Sequence, residues 1–330
     1  MARIFHDEDA PLDAVTGKTI AVIGYGNQGR SWAQNIRDAG LDVRVGTLAD
    51  TSRAQAESDG FAAHAISDAV AEADVVCLLI PDEVMGDAVS TSVAPTLKAD
   101  AAVCFASGYA VAFDEVTLPD TNDVVLVAPR MIGVGVRDSY LDGSGFIAFI
   151  GVERDATGSA WPVALGIARA LGALHRGSVE MTCRQEALID LFVEQAIAPG
   201  LRKLWSDAAM VLLEAGIPLE AILAEFYLSG EIERTYRAMR EIGPTKQWKF
   251  HSQTSQYGTM SRAQRYASLD LATPMRTAVD EINSGAFARE WAEVRAGGYE
   301  KMKELYEAEG RDALMDFEDD VRLKFAPEEG

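Results

Sequence analysis

The sequence predicts an α/β domain with a parallel sheet over residues 1–181 and an all-helical domain over residues 182–330. From residue 18 to about residue 150, short apolar runs alternate with helical patterns. Such an alternation is typical of a parallel sheet that helices cover on both faces. After about residue 180 the strand-like runs stop, and segments rich in Ala, Leu, Glu and Arg follow with helical spacing.

The elements of the first domain follow in order. "KTIAVIGYG" is a strand that enters a glycine turn, "NQGRSWAQNIRDAG" is a helix that ends at Gly40, and "DVRVG" is a second strand, before an Ala-rich helix near residues 52–59. The later strands are "DVVCLLIP", "AAVCFAS", "DVVLVAP" and "GFIAFIGV". In the second domain, helices are expected over residues 184–215, 218–241 and 262–308, with glycine and proline interrupting them.

Composition narrows the class of protein. A chain of 330 residues with 48% hydrophobic residues has ample material for a globular core. Its formal net charge of −21 disfavours nucleic acid and anionic membranes as partners. No apolar run approaches the roughly 20 residues of a membrane span, and the acidic N-terminus lacks a signal peptide. Three scattered cysteines, Cys77, Cys104 and Cys183, predict buried thiols and a cytoplasmic protein.

The first chemical motif is a glycine-rich turn between a strand and a helix. It has the pattern G-x-G-x-x-G and consists of Gly24, Tyr25, Gly26, Asn27, Gln28 and Gly29. Glycines let the backbone turn sharply and approach a pyrophosphate at the helix N-terminus. We therefore expect a Rossmann-type domain that binds a dinucleotide, although a glycine turn that binds nothing is the alternative.

The loop after the second strand bears on the choice of nucleotide. No acidic residue stands at the strand end, whereas Thr51, Ser52 and Arg53 offer hydroxyls and a cation for a 2′-phosphate. Asp50 opposes this interpretation, and Thr51 or Ser52 is also a good helix cap. The sequence favours NADP(H) over NAD(H).

Three helical or loop segments carry further polar groups. Asp190 and Glu194 lie four apart on an apolar helix, a pattern that suits Mg²⁺ but is more often a solvated acidic stripe. Tyr227 and Glu231 have the same spacing in a charged amphipathic helix. Ser252 follows His251 in a polar loop that shows no third member of a catalytic triad. Spacing alone leaves a structural explanation open for all of them.

Several motifs in order resemble ketol-acid reductoisomerase, the acetohydroxyacid isomeroreductase of branched-chain amino-acid synthesis. The matching stretches are "IAVIGYGNQG", "LLIPDE", "VAPRMIG", "DLFVEQA" and "INSGAFAREW", and the similarity runs over roughly residues 1–305.

The resemblance implies a Rossmann domain followed by a knotted helical domain, and a homodimer in which helices of both subunits form each active site. It further implies Mg²⁺, migration of a methyl or ethyl group, and reduction of the resulting keto acid by NADPH. Asp190, Glu194 and Glu231 match metal ligands, and Ser252 matches a serine that contacts the substrate. Further positions match cofactor contacts: Tyr25 to Gln28, Pro81, Asp82, Glu83, Met85, Ser107, Gly108 and Gly133.

This chain departs from the family pattern near the expected reacting centre. Ser107 stands where the family has a histidine, Arg130 replaces a lysine, and Tyr227 takes the place of a glutamate that holds the second metal. Leu188, Ile189 and Leu48 replace polar or basic residues. Arg130 is suited to clamp a substrate carboxylate, and Tyr227, Glu231 or Ser252 to supply a proton. We interpret Ser107 as a sign of a reshaped pocket.

Three functional hypotheses follow. Losing a metal-ligating carboxylate affects alkyl migration more than hydride transfer, so the first is an NAD(P)H-dependent reductase without the isomerase step. Its acceptor is a C=O, C=N or activated C=C bond of a small specialised metabolite. The second is an authentic reductoisomerase that converts 2-acetolactate to 2,3-dihydroxyisovalerate. The third is a non-catalytic dinucleotide-binding sensor or scaffold.

Overall fold

A single nine-stranded sheet organises the N-terminal half of the chain, with strand order β1-β9-β8-β7-β6-β5-β2-β3-β4. The structure is a computed structural model that describes residues 2–10 and 12–325. The strands are β1 Ile4–Phe5, β2 Thr19–Ile23, β3 Asp42–Gly46, β4 Ala63–His64, β5 Val75–Leu78, β6 Ala102–Phe105, β7 Asp123–Pro129, β8 Ala148–Arg154 and β9 Ser178–Glu180.

Helices cover this sheet and continue to the end of the described chain. Those of the N-terminal half are α1 Asn27–Asp38, α2 Thr51–Ser58, α3 Ile66–Ala71, α4 Asp82–Ala88, α5 Tyr109–Ala112, α6 Gly133–Leu141 and α7 Ala160–Leu171, followed by α8 Cys183–Phe192. The rest are α9 Ala198–Glu214, α10 Leu219–Leu223, α11 Glu231–Ile242, α12 Gln253–Arg262, α13 Ala272–Asn283, α14 Ala286–Ala296, α15 Glu300–Ala308 and α16 Arg311–Lys324.

Strand direction follows the sequence-based expectation in the centre of the sheet but not at one side. The strands β2 to β7 are all parallel to one another, whereas β8 is antiparallel to β7 and β1 is antiparallel to β9. A buried apolar strand such as β8 has the same composition in either direction, so its sequence does not encode its orientation. The Rossmann-type α/β class is confirmed, with a sheet that is mostly parallel.

The sheet reverses its strand order next to β2. One half-sheet proceeds from β2 to β3 and β4, and the other proceeds from β5 to β6 and β7. Every residue of β5, β6 and β7 is buried, which explains the near-continuous apolar runs. Ligands of open α/β sheets bind where the carboxyl ends of strands diverge at such a reversal. The space above β2 and β5 is therefore the place to look for a site.

The chain divides into two compact units, Met1–Asp190 and Leu191–Gly330. The sequence places the boundary after residue 181 instead. Beyond β9 the described residues of the chain form helices, turns and loops without a strand, as expected from the helical patterns. π-helical turns occur at Val89–Val93, Val193–Ile197 and Ala224–Leu228.

The second unit keeps many large apolar side chains at its surface. Leu204, Met210, Val211, Tyr257 and Leu271 are each between 54% and 66% exposed. Leu204 and Val211 lie seven residues apart in α9 and therefore share one face of that helix.

The cysteine and membrane expectations bear on the class of protein. Cys77, Cys104 and Cys183 are buried free thiols, as the sequence predicts. The neighbouring Cys77 thiol and, next to it, burial raise the pKa of the Cys104 thiol well above its usual value. Within the described ranges, no helix has the length and apolar character needed to cross a membrane.

Candidate active site

A cleft of about 760 Å³ opens at the carboxyl ends of β2, β3, β5 and β6. It is lined by the glycine-rich turn, by the loop after β3, by α4 and by the end of β6. Ten of the residues predicted to bind the cofactor line it: Gly24, Tyr25, Gly26, Asn27, Gln28, Ser52, Pro81, Asp82, Met85 and Ser107. The sheet therefore gathers predicted residues from sequence-distant loops at one edge.

The glycine-rich turn has the shape that its sequence requires. Gly24 has a φ of +93°, and a Cβ there would lie 2.5 Å from the carbonyl oxygen of Leu79. A Cβ on Gly29 would collide with the carbonyl oxygen of Gly24, so the helix start packs directly on the turn. By contrast, nothing lies within 4 Å of a Cβ placed on Gly26. This open space beside Gly26 leaves room for a ligand to approach the backbone.

Tyr25 fixes the turn through a carboxylate that sequence reasoning missed. Its hydroxyl donates to Oδ2 of Asp59 at 2.9 Å, and Arg30 donates to both oxygens of the same carboxylate at 2.6 and 3.0 Å. These partners, Arg30 first, hold the pKa of Asp59 below its usual value. Burial and Asp59 raise the pKa of Tyr25. Asp59 thus joins the turn, α1 and the end of α2.

The side of the turn facing α6 is also tied down. The Gln28 amide donates to the carbonyl of Met131 at 2.9 Å, and the Ser31 hydroxyl donates to the carbonyl of Gly133 at 2.7 Å. A Cβ on Gly133 would collide with the backbone of Asn27. Gly133 therefore supports the turn from behind and lies outside the lining of the cleft.

The cleft fits a dinucleotide on two observations. It lies at the strand reversal and has an open glycine backbone beside a helix N-terminus. In addition, Oε1 of Gln28, a residue that lines the cleft, is buried and has no hydrogen-bond partner among the described residues. A buried acceptor without a partner is costly unless a ligand or water supplies a donor.

The loop after β3 is arranged differently from the expectation. Asp50 caps α2, accepting from the amide of Ser52 at 2.9 Å and from its hydroxyl at 2.6 Å, and these bonds keep the pKa of Asp50 low. Arg53 donates to the carbonyls of Thr47 and His64 at 3.0 and 3.2 Å. Asp50 lines the cleft, whereas Thr51 and Arg53 are outside its lining.

A second polar cluster lies just beyond the end of β6. Glu186 of α8 is 1% exposed, and its carboxylate accepts from the amide of Gly108 at 2.6 Å and from Arg130 at 2.7 Å. The other arm of Arg130 donates to Asp190. The Arg130 guanidinium also lies 5.0 Å from the ring centre of Phe149. A single cation thus joins two carboxylates of one helix.

Burial raises the pKa of Glu186 to about 7, opposed by the Gly108 amide and by Arg130. The i, i+4 spacing of Glu186 and Asp190 was a signal in the sequence, equal to that of Asp190 and Glu194. Ser107, next to Gly108, is partly buried, lines the cleft and accepts weakly from the amide of Tyr109 at 3.3 Å. Gly108 itself packs against the backbone of Cys183. The cluster therefore fixes the turn that carries Ser107.

The remaining predicted residues lie outside this cleft. Glu83 is in α4 but is not in the lining, and Glu194 is exposed in the π-helical turn Val193–Ile197. Tyr227, 40% exposed, stacks on Trp205 with ring centres 6.4 Å apart. Burial and the negative charge of Glu318 raise its pKa.

Glu231 and Ser252 also belong to the second unit. Glu231 begins α11 and lines a groove of about 380 Å³ together with His251. The Ser252 hydroxyl caps α12 by accepting from the amide of Ser255 at 3.2 Å. Ser252 thus has the structural role that the sequence left open as an alternative to substrate binding.

Carboxylate oxygens are the donors that Mg²⁺ prefers, so the donor types of Asp190, Glu194 and Glu231 are suitable. In the part of the chain that the structure describes, however, no three or more His, Cys, Asp or Glu side chains gather as a metal site. Asp190 is instead held by Arg130.

Comparison with known proteins defines the class. Residues 14–177 match the family domain described as "Acetohydroxy acid isomeroreductase, NADPH-binding domain" and residues 183–326 match "Ketol-acid reductoisomerase, C-terminal domain". The chain is thus an NAD(P)H-dependent oxidoreductase, with the nucleotide domain that the cleft indicates. It belongs to the ketol-acid reductoisomerase family.

Two relatives and one solved structure are similar over most of their length. The "Ketol-acid reductoisomerase (NADP(+))" of Sulfurisphaera tokodaii is 38% identical over 89% of this chain and 88% of its own. That of Pyrobaculum calidifontis, with the same name, is 38% identical over 93% of this chain and 94% of its own. The structure titled "NADH-preferring ketol-acid reductoisomerase from an uncultured archean" superposes with a TM-score of 0.91 at 32% identity, covering 98% of this chain and all of the other.

Proposed function

We propose that this protein is an active ketol-acid reductoisomerase that uses NAD(P)H to convert 2-acetolactate to 2,3-dihydroxyisovalerate. The observation that carries the proposal is the 38% identity, over 89% and 93% of this chain, to two proteins that bear this name. This is the second of the three hypotheses from the sequence, and the comparisons favour it over reduction alone.

The proposed reaction has two balanced steps. A methyl group moves from C2 of 2-acetolactate to the ketone carbon C3, so that the C2 hydroxyl becomes a ketone, the C3 oxygen gains the proton, and 3-hydroxy-3-methyl-2-oxobutanoate forms. NAD(P)H then gives a hydride to C2, and a proton adds to its oxygen. Ser107 lines the cleft at the carboxyl ends of β5 and β6, and this location supports the proposal that the nicotinamide binds there.

The site residues keep the roles assigned by resemblance as part of this proposal. Asp190, Glu194 and Glu231 are the candidate Mg²⁺ ligands, and a bound Mg²⁺ would act as a Lewis acid on the substrate oxygens. Arg130 is a candidate to hold the substrate carboxylate, but it contacts Glu186 and Asp190 in the free chain. Substrate binding there must therefore exchange one ion pair for another.

The proposal includes a homodimer whose active sites draw residues from both copies. Its support is the exposed apolar surface of the second unit, which includes Leu204, Met210 and Val211. Sedimentation analysis between about 0.1 and 50 μM, a range that brackets the μM dissociation constants of weak complexes, tests it. A monomer throughout that range would contradict the shared site.

Reduction without isomerisation is the second candidate. Two observations favour it. Tyr227 stands where the resemblance places a metal-ligating glutamate, and Arg130 forms an ion pair with an oxygen of Asp190. Both weaken the case for a second metal, which alkyl migration needs more than hydride transfer does.

A two-substrate assay separates these functions. The enzyme is given NADH or NADPH and Mg²⁺ with either 2-acetolactate or 3-hydroxy-3-methyl-2-oxobutanoate, the second of which needs only reduction. Turnover of both identifies a reductoisomerase, and turnover of the keto acid alone identifies a reductase. If both are inert while nucleotide binds, catalysis of this reaction is excluded, and a small-molecule screen then tests the C=O, C=N and C=C reductase and the sensor hypotheses.

A further inference from the structure

The charged side chains that line the nucleotide cleft are all negatively charged. They are Asp50, Asp82 and Asp87, and among the described lining residues there is no Lys, Arg or His. A 2′-phosphate adds about 1.5 to 2 negative charges near neutral pH. NADPH would carry that charge into a cleft that offers it no cation.

Arg53, the cation that the sequence offers for a 2′-phosphate, already has hydrogen-bond partners. Arg53 directs Nη2 to the carbonyl oxygens of Thr47 and His64, and its Nε lies 3.4 Å from the Thr47 hydroxyl. These bonds join the end of β3 to the end of β4. Turning Arg53 toward a phosphate would break them, so its guanidinium holds the sheet edge instead.

The hydroxyl of Ser52, the second group that the sequence offers for a 2′-phosphate, is also hydrogen-bonded within the loop. Ser52 donates its hydroxyl proton to Asp50 at 2.6 Å, and its amide donates to the same oxygen. Asp50 itself is exposed, lines the cleft and follows the second strand of the βαβ unit. Although Asp50 lies in the loop beyond the end of β3, it follows the glycine-rich turn by about 20 residues, the spacing at which a carboxylate accepts from the ribose hydroxyls of NAD.

We propose that this cleft selects NADH over NADPH and that Asp50 is the residue that sets the preference. The inference rests on the NAD(P)H-dependent function proposed above and reverses the NADP(H) preference drawn from Thr51, Ser52 and Arg53. Family membership does not decide the matter, because two relatives are named for NADP(+) and the similar solved structure is named NADH-preferring.

The test measures binding without substrate, by titrating the full-length protein with NADH and with NADPH and following nicotinamide fluorescence. We expect the Kd for NADPH to be at least about tenfold higher than that for NADH at low salt. Because Asp50 and Asp87 are exposed, the ratio should shrink as KCl is raised toward 1 M, where the screening length is about 3 Å. As an independent readout, AMP should raise the melting temperature more than 2′,5′-ADP does.

Asp50→Asn keeps a side-chain oxygen to cap α2 and removes the charge, so it should lower the NADPH-to-NADH Kd ratio several-fold. Glu57→Gln, on the exposed face of the same helix and outside the cleft, is the matched control and should leave the ratio unchanged. Equal or tighter binding of NADPH by the wild-type protein overturns the inference alone. If the NADPH-to-NADH Kd ratio of Asp50→Asn equals that of the control, the role assigned to Asp50 is wrong. Failure to bind either nucleotide overturns the proposed function as well.

Discussion

The guanidinium of Arg130 lies 2.7 Å from the carboxylate of Glu186, a side chain that is 1% exposed. Glu186 in turn accepts from the amide of Gly108, beside the serine at the end of β6. The pair therefore couples a buried charge of α8 to the turn that forms one wall of the nucleotide cleft.

Removing the cation from this pair should destabilise the protein. Arg130→Met leaves Glu186 buried and unpaired, which typically costs about 3 kcal/mol. Urea denaturation at pH 8 measures the effect. As a control, Arg237→Met breaks the exposed pair with Glu233 and should cost less than about 1 kcal/mol. An equal decrease in the free energy of unfolding in the two variants would mean that the buried pair of Arg130 and Glu186 stabilises the protein no more than an exposed pair does.

Asp59 should link cofactor affinity to the architecture of the glycine-rich turn. Asp59→Asn removes the charge that Arg30 pairs with and weakens the acceptor for Tyr25. We expect weaker NADH binding, by about two- to tenfold, a range that corresponds to up to about 1.4 kcal/mol. Asp68→Asn, exposed on α3 and outside the cleft, provides the control. Unchanged affinity in both would show that Tyr25 is positioned without Asp59.

The same carboxylate predicts a pH dependence. The pKa of Asp59 is lower in the folded protein than its usual value, so the ionised form stabilises the fold. That contribution is present above the usual pKa of an aspartate and is lost as the pH falls through the lower folded value. The melting temperatures of wild type and Asp59→Asn should therefore differ at pH 7 and converge on acidification. A constant difference down to about pH 2, below the usual aspartate pKa of about 3.9, would contradict this account.

Substitution by alanine should affect protein stability at Gly29 and nucleotide binding at Gly26. Gly29→Ala places a Cβ against the carbonyl of Gly24 and should cost about 1 to 3 kcal/mol of stability. Gly26→Ala meets open space, so its melting temperature should stay close to that of wild type while NADH binding weakens. Calorimetry together with nucleotide titration distinguishes the two, and a stable Gly26→Ala that binds NADH normally would place the dinucleotide elsewhere.

Ser107 tests the notion of a reshaped pocket. Ser107→His restores the family residue at a partly buried position that lines the cleft. We expect a change in kcat or KM for the true substrate and only a small change in melting temperature. Kinetics identical to those of wild type would show that this position does not face the reacting centre.

How far the sequence predicts this protein depends on whether a feature is local. The G-x-G-x-x-G pattern is largely local, because Gly29 packs on the backbone of Gly24 within the turn itself, and the turn at Gly24–Gly29 has the expected shape. The antiparallel direction of β8 is not local, because it depends on how β8 pairs with β7. The surroundings of Arg53 are not local either: it lies outside the lining of the cleft, and its carbonyl partners include His64, on a separate strand.

Polar partners of site residues show the same distinction. The sequence identifies Tyr25 and Arg130 but not Asp59 or Glu186, which hold them. These carboxylates lie 34 and 56 residues away from their partners along the chain. Asp59 also carries no motif, since it reads as the polar end of a helix before Gly60. Only the three-dimensional arrangement shows that each is shared between elements.

The edge of the sheet has a consequence for how the chain is made. Strand β1, from the first described residues, pairs with β9, which lies next to β8 and ends at Glu180. During synthesis the ribosome releases β1 long before its partner exists. Until translation has passed residue 180, β8 is an open sheet edge, and open edges invite pairing with other chains. Once β9 has paired with it, β8 is an interior strand, so the closure of this edge depends on residues as far along the chain as Glu180.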